Sequence, residues 1–383
     1  MESIYFSEEL ELLRDQVRRF VDEHVRPHGE QWEQDGRIDR ALYRTAGDLG
    51  LLGLRHAEDH GGAGADALAS VVWSEELGRS TFGGVTASLT VHTDMASPHI
   101  SHAGNAEQRA RWLPGVCTGE VLTAVAVTEP GAGSDVAALR TRARRDGDDW
   151  VLDGAKVFIT NGVYADLYIL AARTDPDAKP SRGISLFLIE AGTPGLEVAR
   201  KLDKMGWRSS DTAELRLDSC RVPGSHLLGE ENRGFYGIMQ GFQNERLVIG
   251  AIAVGEAQTA LDLTLDYVKT RRAFGGRLFD RESIRQRLAM RWAEVAAARE
   301  LVYRTAWLDS RGHECVREVS MLKALSGELL NQVLYDCVQF HGGMGYMRES
   351  AIERMYRDAR VIPIGGGATE VMLEEAAKRL EDL

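Results

Sequence analysis

The sequence predicts an α+β protein in which a helical domain, a β domain and a second helical domain follow one another. Apolar residues recur every three to four positions near both ends of the chain, which is typical of helices that bury one face. In the middle, short runs rich in β-branched and aromatic residues are bounded by Gly, Pro, Asn and Asp, which is typical of strands. A chain of 383 residues is too long for one core. The expected domains are therefore residues 1–117, 118–228 and 229–383.

The N-terminal domain is expected to be helical. Its first helix is predicted from the segment SEELELLRDQVRRFVDEHV, in which Ser7 is a candidate N-cap. The apolar stripe of this helix consists of Leu10, Leu13, Val17, Phe20, Val21 and Val25. The glycine-rich segment EDHGGAGAD interrupts the helical pattern, and LASVVWSEELGRS resumes it.

The β domain is predicted from four short segments. They are WVLDGAKVFIT, DLYILAART, GISLFLIEA and AELRLDSCRVP. In the last segment Leu215 and Leu217 alternate with charged residues, and the domain is expected to end near Pro223.

The helical period returns from about residue 230. Leu261, Leu265 and Val268 form one stripe, and two more long helices are predicted from MRWAEVAAARELVYRTAWL and VSMLKALSGELLNQVLYDCVQF. Several long antiparallel helices, each with one apolar stripe, form a bundle.

The composition narrows the class of protein. A net charge of −12 argues against a nucleic-acid surface, which needs clustered positive charge. No segment reaches the roughly 18 consecutive apolar residues of a membrane span, so none is expected. The N-terminus, MESIYFSEELELLRDQ, is acidic and shows no apolar signal core. The four cysteines form no CxxC pair, which favours a cytoplasmic protein with reduced, mostly buried thiols.

Two segments of the β domain could contact a flat ligand that carries phosphates. In PGAGSD the backbone N–H groups and the Ser134 hydroxyl could hold a pyrophosphate, and a structural turn explains the segment equally well. In KVFITNG, Phe158, Ile159 and Thr160 could present an aromatic face and a hydroxyl to a flat ring. The alternative for KVFITNG is ordinary strand packing.

Three segments that contain glycine follow in the C-terminal domain, namely TRRAFGGRL, QFHGGMGYM and RDARVIPIGGGATEV. The last is a poor match to a phosphate loop, since no Gly-Lys-Ser/Thr follows its glycines. Together with VTEPGAGSD and FITNG, and in this order along essentially the whole chain, these segments resemble the acyl-CoA dehydrogenase family.

The resemblance implies the acyl-CoA dehydrogenase fold, with an N-terminal helical domain, a middle β-barrel domain and a C-terminal four-helix bundle. It also implies an FAD flavoprotein of fatty acid or branched-chain acyl metabolism, an oxidoreductase that converts an acyl-CoA to the trans-2-enoyl-CoA. In this chemistry a carboxylate removes the α-proton while flavin N5 accepts a hydride from the β-carbon. Because a thioester α-proton is weakly acidic, the carbonyl oxygen needs hydrogen bonds and the base needs a raised pKa.

The resemblance also assigns the cofactor contacts. The flavin ring and the pyrophosphate would be contacted by Val127, Thr128, Gly133, Ser134, Phe158, Ile159 and Thr160. The adenine half of an FAD held mainly by a neighbouring subunit would be bound by Arg271, Phe274, Gln339 and Gly343. One chain would then not complete its own site, so a homotetramer is expected, with an electron-transfer flavoprotein as the electron acceptor.

The catalytic base is the main departure from the common family pattern. Many members read Tyr-Glu-Gly-Thr where this chain reads Gly365-Gly366-Gly367-Ala368, and the glutamate of those members is the base. In the isovaleryl-CoA and long-chain branches the base lies instead in a Glu-Arg-Leu segment on the first helix of the C-terminal bundle. This chain has Glu245, Arg246 and Leu247 in that place. Glu245 is therefore the expected base, and the alternative is a solvated helix charge.

The glycine run then resembles a set of deleted side chains beside a reacting carbon. The backbone N–H of Gly366 can still donate to the thioester carbonyl, and Gly365 in place of tyrosine should widen the pocket for a branched or bulky acyl group. Ser134, Arg246, Gly365 and Gly366 are the expected substrate contacts.

Other departures concern the cofactor and a possible metal. Ala368 replaces a common threonine and Glu282 a glutamine, which could weaken FAD binding unless neighbours such as Thr369 and Glu370 compensate. The histidines at positions 92, 99 and 102 have no acidic partner and no tight ligand spacing, so no metal is expected.

Two further hypotheses stay open at this point. The same fold could serve a flavin oxidase or monooxygenase, or a dehydrogenase whose acyl group is held by a carrier protein. It could also be a binding protein without catalysis, although Glu245 argues against that.

Overall fold

The computed structural model describes residues 4–380, and its first part is helical as predicted. Ser7 caps the first helix, because its hydroxyl oxygen accepts a hydrogen bond from the Leu10 N–H. The helices of this part are α1 (Glu8–Phe20), α2 (Gly29–Asp35), α3 (Arg40–Asp48), α4 (Ala67–Gly78), α5 (Gly83–Thr90), α6 (Ser97–Ala103) and α7 (Ala106–Thr118). A π-helical segment, Val91–Ala96, joins α5 to α6.

Helix α4 lies at the centre of the helical region, and all of its residues are buried. Two of them, Glu75 and Glu76, are carboxylates that burial would destabilise without partners. Glu76 accepts hydrogen bonds from Arg14 and Arg18 of α1, and Glu75 accepts one from Arg299. These ion pairs tie the first helix and the C-terminal domain to α4.

The middle of the chain forms one eight-stranded sheet. Its strands are β1 (Thr123–Ala126), β2 (Arg142–Asp146), β3 (Asp149–Thr160), β4 (Leu167–Arg173), β5 (Ile184–Glu190), β6 (Leu196–Lys201), β7 (Thr212–Pro223) and β8 (Leu227–Leu228). The order is β6-β7-β3-β2-β4-β5-β8, and β1 pairs in parallel with β4. The four predicted strands are β3, β4, β5 and β7. Pairing runs along an open path, so among the described residues it does not close the ring of a barrel.

The C-terminal part is a helical bundle with one small hairpin. Its elements are α8 (Gly234–Thr270), β9 (Arg272–Ala273), β10 (Gly276–Arg277), α9 (Glu282–Ser310), α10 (Val316–His341), α11 (Ala351–Ala359) and α12 (Thr369–Ala377). Up to residue 380 the bundle therefore consists of three long helices and two short ones. Helix α10 ends at Gly342, whose φ of 59° lies in the left-handed region that favours glycine.

Helix α4 of the N-terminal region packs into the hydrophobic core of the C-terminal helices. Ala67, Leu68 and Val71 of α4 belong to the same buried cluster as the apolar faces of α8, α9 and α10. By length and composition α8 could also cross a membrane, but 83% of its apolar window is buried inside the protein. The order of helical, sheet and helical regions predicted from the sequence is confirmed.

Candidate active site

Glu245 and Gly366 face each other across the space between α8 and the turn before α12. A β-carbon built on Gly366 would lie 3.0 Å from Glu245 Oε1 and would overlap Ile249 Cδ1. The φ of Gly366 is 65°, so a side chain there would also be strained. The absence of a side chain at position 366 thus leaves room for the Glu245 carboxylate.

Burial raises the pKa of Glu245 to about 7, although the charges of Arg246 and Lys323 oppose the shift. The residue as a whole is partly exposed. A carboxylate whose pKa lies near neutral pH can act as a general base on a weak carbon acid.

The turn that contains the three glycines is held by its own backbone and by a buried lysine. The N–H of Gly365 donates to the Val361 carbonyl, at 2.8 Å. Lys323 on α10 donates to the carbonyls of Ile362 and Gly367, at 2.5 and 2.6 Å. Within residues 4–380 the Gly366 N–H has no hydrogen-bond partner, so it is available to a ligand. Lys323 was missed from the sequence, although it lies on the apolar stripe of a predicted helix.

The other two glycines of the turn differ in the space around them. A β-carbon on Gly365 would meet Val361 only at 3.7 Å, an ordinary contact, so position 365 has room for a side chain. Gly367 has a φ of 108°, and a β-carbon there would lie 2.8 Å from Met372 Cε. The wider pocket expected from the sequence stays a prediction. Near the turn, the Thr369 hydroxyl donates to Glu328 and is committed to that contact.

Arg246 is buried next to Glu245 without a partner for its guanidinium. The residue is 7% exposed, and its Nε lacks a hydrogen-bond partner. No ion pair of Arg246 occurs among the residues that the structure describes, and its guanidinium lies over the Phe242 ring, 5.7 Å from the ring centre. Burial lowers its pKa, and the charges of Glu375 and Arg379 act on it from the C-terminal segment. Such a cation is suited to an anionic or strongly polar ligand group.

The segment from Val127 to Ser134 forms a turn with free donors. Glu129 and Ala132 exchange two backbone hydrogen bonds of 3.0 and 3.1 Å, which close the turn. Beyond this bridge, the N–H groups of Gly133 and Ser134 have no backbone partner in the described part of the chain. A β-carbon on Gly133 would have nothing within 4 Å, so a ligand can approach the backbone. Consecutive free N–H groups of this kind bind phosphate oxygens.

A second buried lysine holds this turn in place. Lys156 on β3 donates to Glu129 Oε1 at 2.8 Å and to the Val127 carbonyl at 3.0 Å. Glu129 in turn accepts from the Thr141 N–H at 2.9 Å. Sequence reasoning also missed this pair, for which the available signal was a lysine inside an apolar strand.

Strand β3 exposes an aromatic ring beside this turn. The pairing of β3 with β7 shifts register between Lys156 and Ile159, and Phe158 there adopts a φ of 61° and is 68% exposed. A bulky residue in the left-handed region at a bulge stores strain and re-aims its side chain. Ile159 is 2% exposed and packs in the core, so only its backbone can reach a ligand. Thr160 at the end of the strand is partly exposed.

The pair of Glu245 and Gly366 and the turn that contains Gly133 lie at the same end of α8. Val127 and Ala132 share a buried cluster with Ile238, and Phe242 packs against this cluster from α8. Glu245 follows Phe242 by three residues on the same helix. The turn, the exposed ring and the carboxylate therefore border one region.

A third group of predicted contacts lies at the other end of α8. Arg271 and Phe274 belong to the hairpin after this helix, and Phe274 is 95% exposed. The Tyr267 hydroxyl donates to the His341 carbonyl, which places Gln339 and Gly343 at this same end of the bundle. Arg271 follows Glu245 by 26 residues, which is about 39 Å of helix at 1.5 Å per residue. Within one chain, these predicted contacts at the far end of α8 therefore lie away from both Glu245 and the turn that contains Gly133.

The predicted site residues fit a flavin dinucleotide in two separate halves. Free N–H groups at Gly133 and Ser134 suit the phosphates, and the exposed Phe158 ring suits a flat heterocycle.

The histidines at positions 92, 99 and 102 do not form a metal site in the described part of the chain. His92 contacts the Thr123 hydroxyl and the Val116 carbonyl, and burial lowers its pKa to about 4. Among residues 4–380 no three His, Cys, Asp or Glu side chains cluster as metal ligands would.

Comparisons with known proteins cover the whole architecture. The chain matches the models of the acyl-CoA dehydrogenase N-terminal domain (residues 7–120), middle domain (124–220) and C-terminal domain (232–381). It is 43% identical to the mitochondrial long-chain specific acyl-CoA dehydrogenase of Sus scrofa, over 98% of this chain and 87% of that protein. It is 36% identical to the mitochondrial isovaleryl-CoA dehydrogenase of Pongo abelii, over 95% of this chain and 87% of that protein. The crystal structure of acyl-CoA dehydrogenase from Geobacillus kaustophilus superimposes with a TM-score of 0.96 and 42% identity, and covers 99% of this chain and 100% of that one.

Proposed function

The chain belongs to the acyl-CoA dehydrogenase family, and we propose that it dehydrogenates a branched or otherwise bulky acyl-CoA with Glu245 as the base. The protein is an oxidoreductase that acts on acyl-CoA, and its cofactor is FAD. The observation that carries the choice of base is the Glu245 carboxylate opposite Gly366, which has no side chain to compete for the α-proton.

Bound FAD supplies the acceptor for the hydride that leaves the β-carbon. Gly133 and Ser134 would hold its phosphates through their N–H groups, and Phe158 would flank its ring. Lys156 and Glu129 keep that turn in shape, since their ion pair fixes both sides of it.

Glu245 takes the proton from the α-carbon of the acyl group. The Gly366 N–H donates to the thioester carbonyl oxygen, where negative charge develops as the proton leaves. Arg246 binds a polar part of the CoA arm with its unpartnered guanidinium. Because burial raises the pKa of Glu245 to about 7, proton removal should speed up as the pH rises through about 7.

The size of the acyl group that the pocket accepts follows from Gly365. The space beside this residue would admit a branch on the acyl chain that a tyrosine ring would exclude. The similarity to an isovaleryl-CoA dehydrogenase supports this proposal, because the isovaleryl group is branched.

Assembly and electron transfer complete the proposal. Arg271, Phe274, Gln339 and Gly343 lie near the far end of α8, too far from Glu245 to bind the same FAD, so they would bind the cofactor of a neighbouring subunit. A homotetramer would unite both halves of each site, and an electron-transfer flavoprotein would accept the electrons.

The deciding experiment follows flavin bleaching after anaerobic mixing with a panel of straight and branched acyl-CoA thioesters. The flavin of the wild-type protein should bleach with at least one acyl-CoA of the panel. Glu245→Gln should keep its FAD but reduce it about 10²–10⁴ times more slowly, because the variant has the shape of the base without its basicity.

Glu256→Gln is the matched control, since Glu256 is a buried glutamate eleven residues further along α8 and outside the site. The flavin of this control variant should bleach at the wild-type rate. Wild-type rates in Glu245→Gln would show that another group is the base. No bleaching of the wild-type protein by any acyl-CoA, with FAD bound, would overturn the proposed function.

A further inference from the structure

Lys323 is a charged side chain at a place in the fold where charges are rare. It lies on α10 and is 0% exposed, and its ammonium group faces the turn that carries the three glycines. Burying an ammonium group is unfavourable unless it is hydrogen-bonded or paired. The residues that satisfy Lys323 therefore indicate what it does.

The partners of Lys323 bracket the glycine turn. Its Nζ donates to the Ile362 carbonyl before the turn and to the Gly367 carbonyl at its end, at 2.5 and 2.6 Å. With both ends joined through one ammonium group, Gly365 and Gly366 are held between fixed points. Glycines have the largest backbone freedom, so a turn of three needs such a clamp to keep one N–H direction.

The same ammonium group acts on Glu245 through its charge. Only the turn separates the two side chains, since Gly366 lies against Glu245 and Gly367 accepts from Lys323. The two groups favour each other's ionised forms, whereas burial disfavours both. Burial lowers the pKa of Lys323 to about 8, so the lysine is still largely protonated at neutral pH.

The other charges around this pair are few. On α8 the neighbouring charge is Arg246, and on α10 it is Glu328, which also accepts from Thr369. From the C-terminal segment, Glu375 and Arg379 act on Arg246. Lys323 and Arg246 are thus the cations that oppose the effect of burial on Glu245.

We propose that Lys323 is a positioning residue for the dehydrogenation. Its ammonium group holds the Gly366 N–H in the direction of the thioester carbonyl, and its charge favours the ionised form of Glu245, which is the base. This inference rests on the proposed function for its catalytic meaning, but both physical effects can be measured without substrate.

The experiment distinguishes the effect of the Lys323 charge from the effect of its N–H donors. Lys323→Met removes both, and Lys323→Gln keeps N–H donors without the charge. In both variants the pKa of Glu245 should rise by about one unit, the size expected when a nearby opposite charge is lost. The pKa is read from the protonated-carboxyl band in infrared titrations, with Glu245→Gln spectra subtracted to identify that band.

A second measurement follows the clamp. Hydrogen exchange of the backbone amides of residues 364–368 should be at least about tenfold faster in Lys323→Met than in wild type, and slowed again in Lys323→Gln. With acyl-CoA present, the pH at which the rate of flavin reduction rises should increase together with the Glu245 pKa from the infrared titration. KM should change little.

The matched control is Asn331→Leu. Asn331 lies on the same helix and donates to the Ala359 carbonyl, so its loss also frees a backbone carbonyl but removes no charge. The pKa of Glu245 should be unchanged in this control. An unchanged pKa in both Lys323 variants, or an equal shift in Asn331→Leu, would overturn the inference. Absence of flavin reduction in the wild-type protein would instead count against the proposed function, and the infrared titration would still decide the role of Lys323.

Discussion

At the scale of single residues, two positions of the site have backbone conformations that ordinary side chains avoid. Gly366 has a φ of 65° and Phe158 a φ of 61°. At position 366 the glycine removes the strain, and the same choice clears space for Glu245. At position 158 a phenylalanine remains in spite of a cost of order 1–3 kcal/mol. Strain retained with an exposed aromatic ring indicates that the ring has a task outside the core.

Gly365 should decide which acyl groups enter. Gly365→Tyr introduces a ring without backbone strain, because the φ of this residue is not left-handed and its β-carbon would make only ordinary contacts. The ratio kcat/KM for a branched acyl-CoA should fall at least tenfold more than that for a straight one of equal length, since one or two excluded carbons are worth about 1–3 kcal/mol. Steady-state kinetics with both substrates measure this.

Gly365→Ala is the control for that substitution. Its methyl group would reach only Val361 at ordinary distance, so both substrates should keep kcat/KM within about threefold of wild type. An equal loss on both substrates in Gly365→Tyr would show that the residue does not form the wall beside the branch.

At the scale of elements, α8 joins catalysis to the core of the molecule. The helix crosses α4 at glycines, because a β-carbon on Gly255 would overlap the Glu75 carbonyl and one on Gly78 would lie 2.6 Å from the Ile252 carbonyl. The close crossing joins α4 of the N-terminal region to the core of the C-terminal helices. The direction of α8, and with it the position of Glu245, is therefore fixed by close packing at Gly255, ten residues after Glu245, and at Gly78 of α4.

A second glutamate of α8 should destabilise the protein. Glu256 is 3% exposed, its Oε2 has no hydrogen-bond partner, and burial raises its pKa well above the usual value. Glu256→Met should increase the free energy of unfolding by about 1–3 kcal/mol at neutral pH. Because the raised pKa makes the folded state less favourable as the pH rises above about 4.5, the gain should be small at pH 4 and larger at pH 8. Urea unfolding at both pH values measures it.

Glu76→Met is the opposite case on α4. Glu76 is also buried, but it accepts from Arg14 and Arg18, so its loss leaves Arg14 buried without that charge partner. This variant should lose about 3 kcal/mol of stability. If Glu256→Met were instead less stable than wild type at pH 8, the carboxyl of Glu256 would have a stabilising role in the packing of α8.

At the scale of the whole molecule, the predicted cofactor contacts are divided between the two ends of α8. The end with Glu245 adjoins the sheet, and the end with Arg271 carries an exposed hairpin. Phe274 at the tip of this hairpin is 95% exposed, and Arg281 donates to the Phe274 carbonyl and so supports the tip. An exposed aromatic ring at such a tip is expected at a contact with another subunit.

Phe274→Asp should therefore loosen the assembly. A charge in place of the ring should weaken subunit association tenfold or more, and FAD should be lost more readily on gel filtration. Light scattering gives the mass and the flavin absorbance gives the occupancy. Val198→Asp on the edge strand β6 is the control, as Val198 is 41% exposed and lies away from the hairpin in the sheet. A tetramer with full FAD in Phe274→Asp would show that the ring is not part of the interface.

The sequence by itself determined the elements and their order. The Ser7 cap, the long strand β3 and the three long helices of the bundle follow from side-chain periods and caps that act within a few residues. The motif order further indicated the family. Through the family resemblance the sequence also placed Glu245 opposite Gly366, and the structure brings these two residues together.

Only the tertiary structure decided which polar groups meet. In the sequence Lys323 is a lysine on the apolar stripe of a predicted helix, and nothing there shows its contact with Gly367, 44 positions away. The exposure of Phe158 depends on a register shift against β7, and the unpartnered state of Arg246 depends on how α8 packs. Local periodicity fixes which face of an element is buried, but it carries no information about which carbonyl or carboxylate another element places against that face. The clamp on the glycine turn and the charge beside the base are therefore properties of the packed molecule.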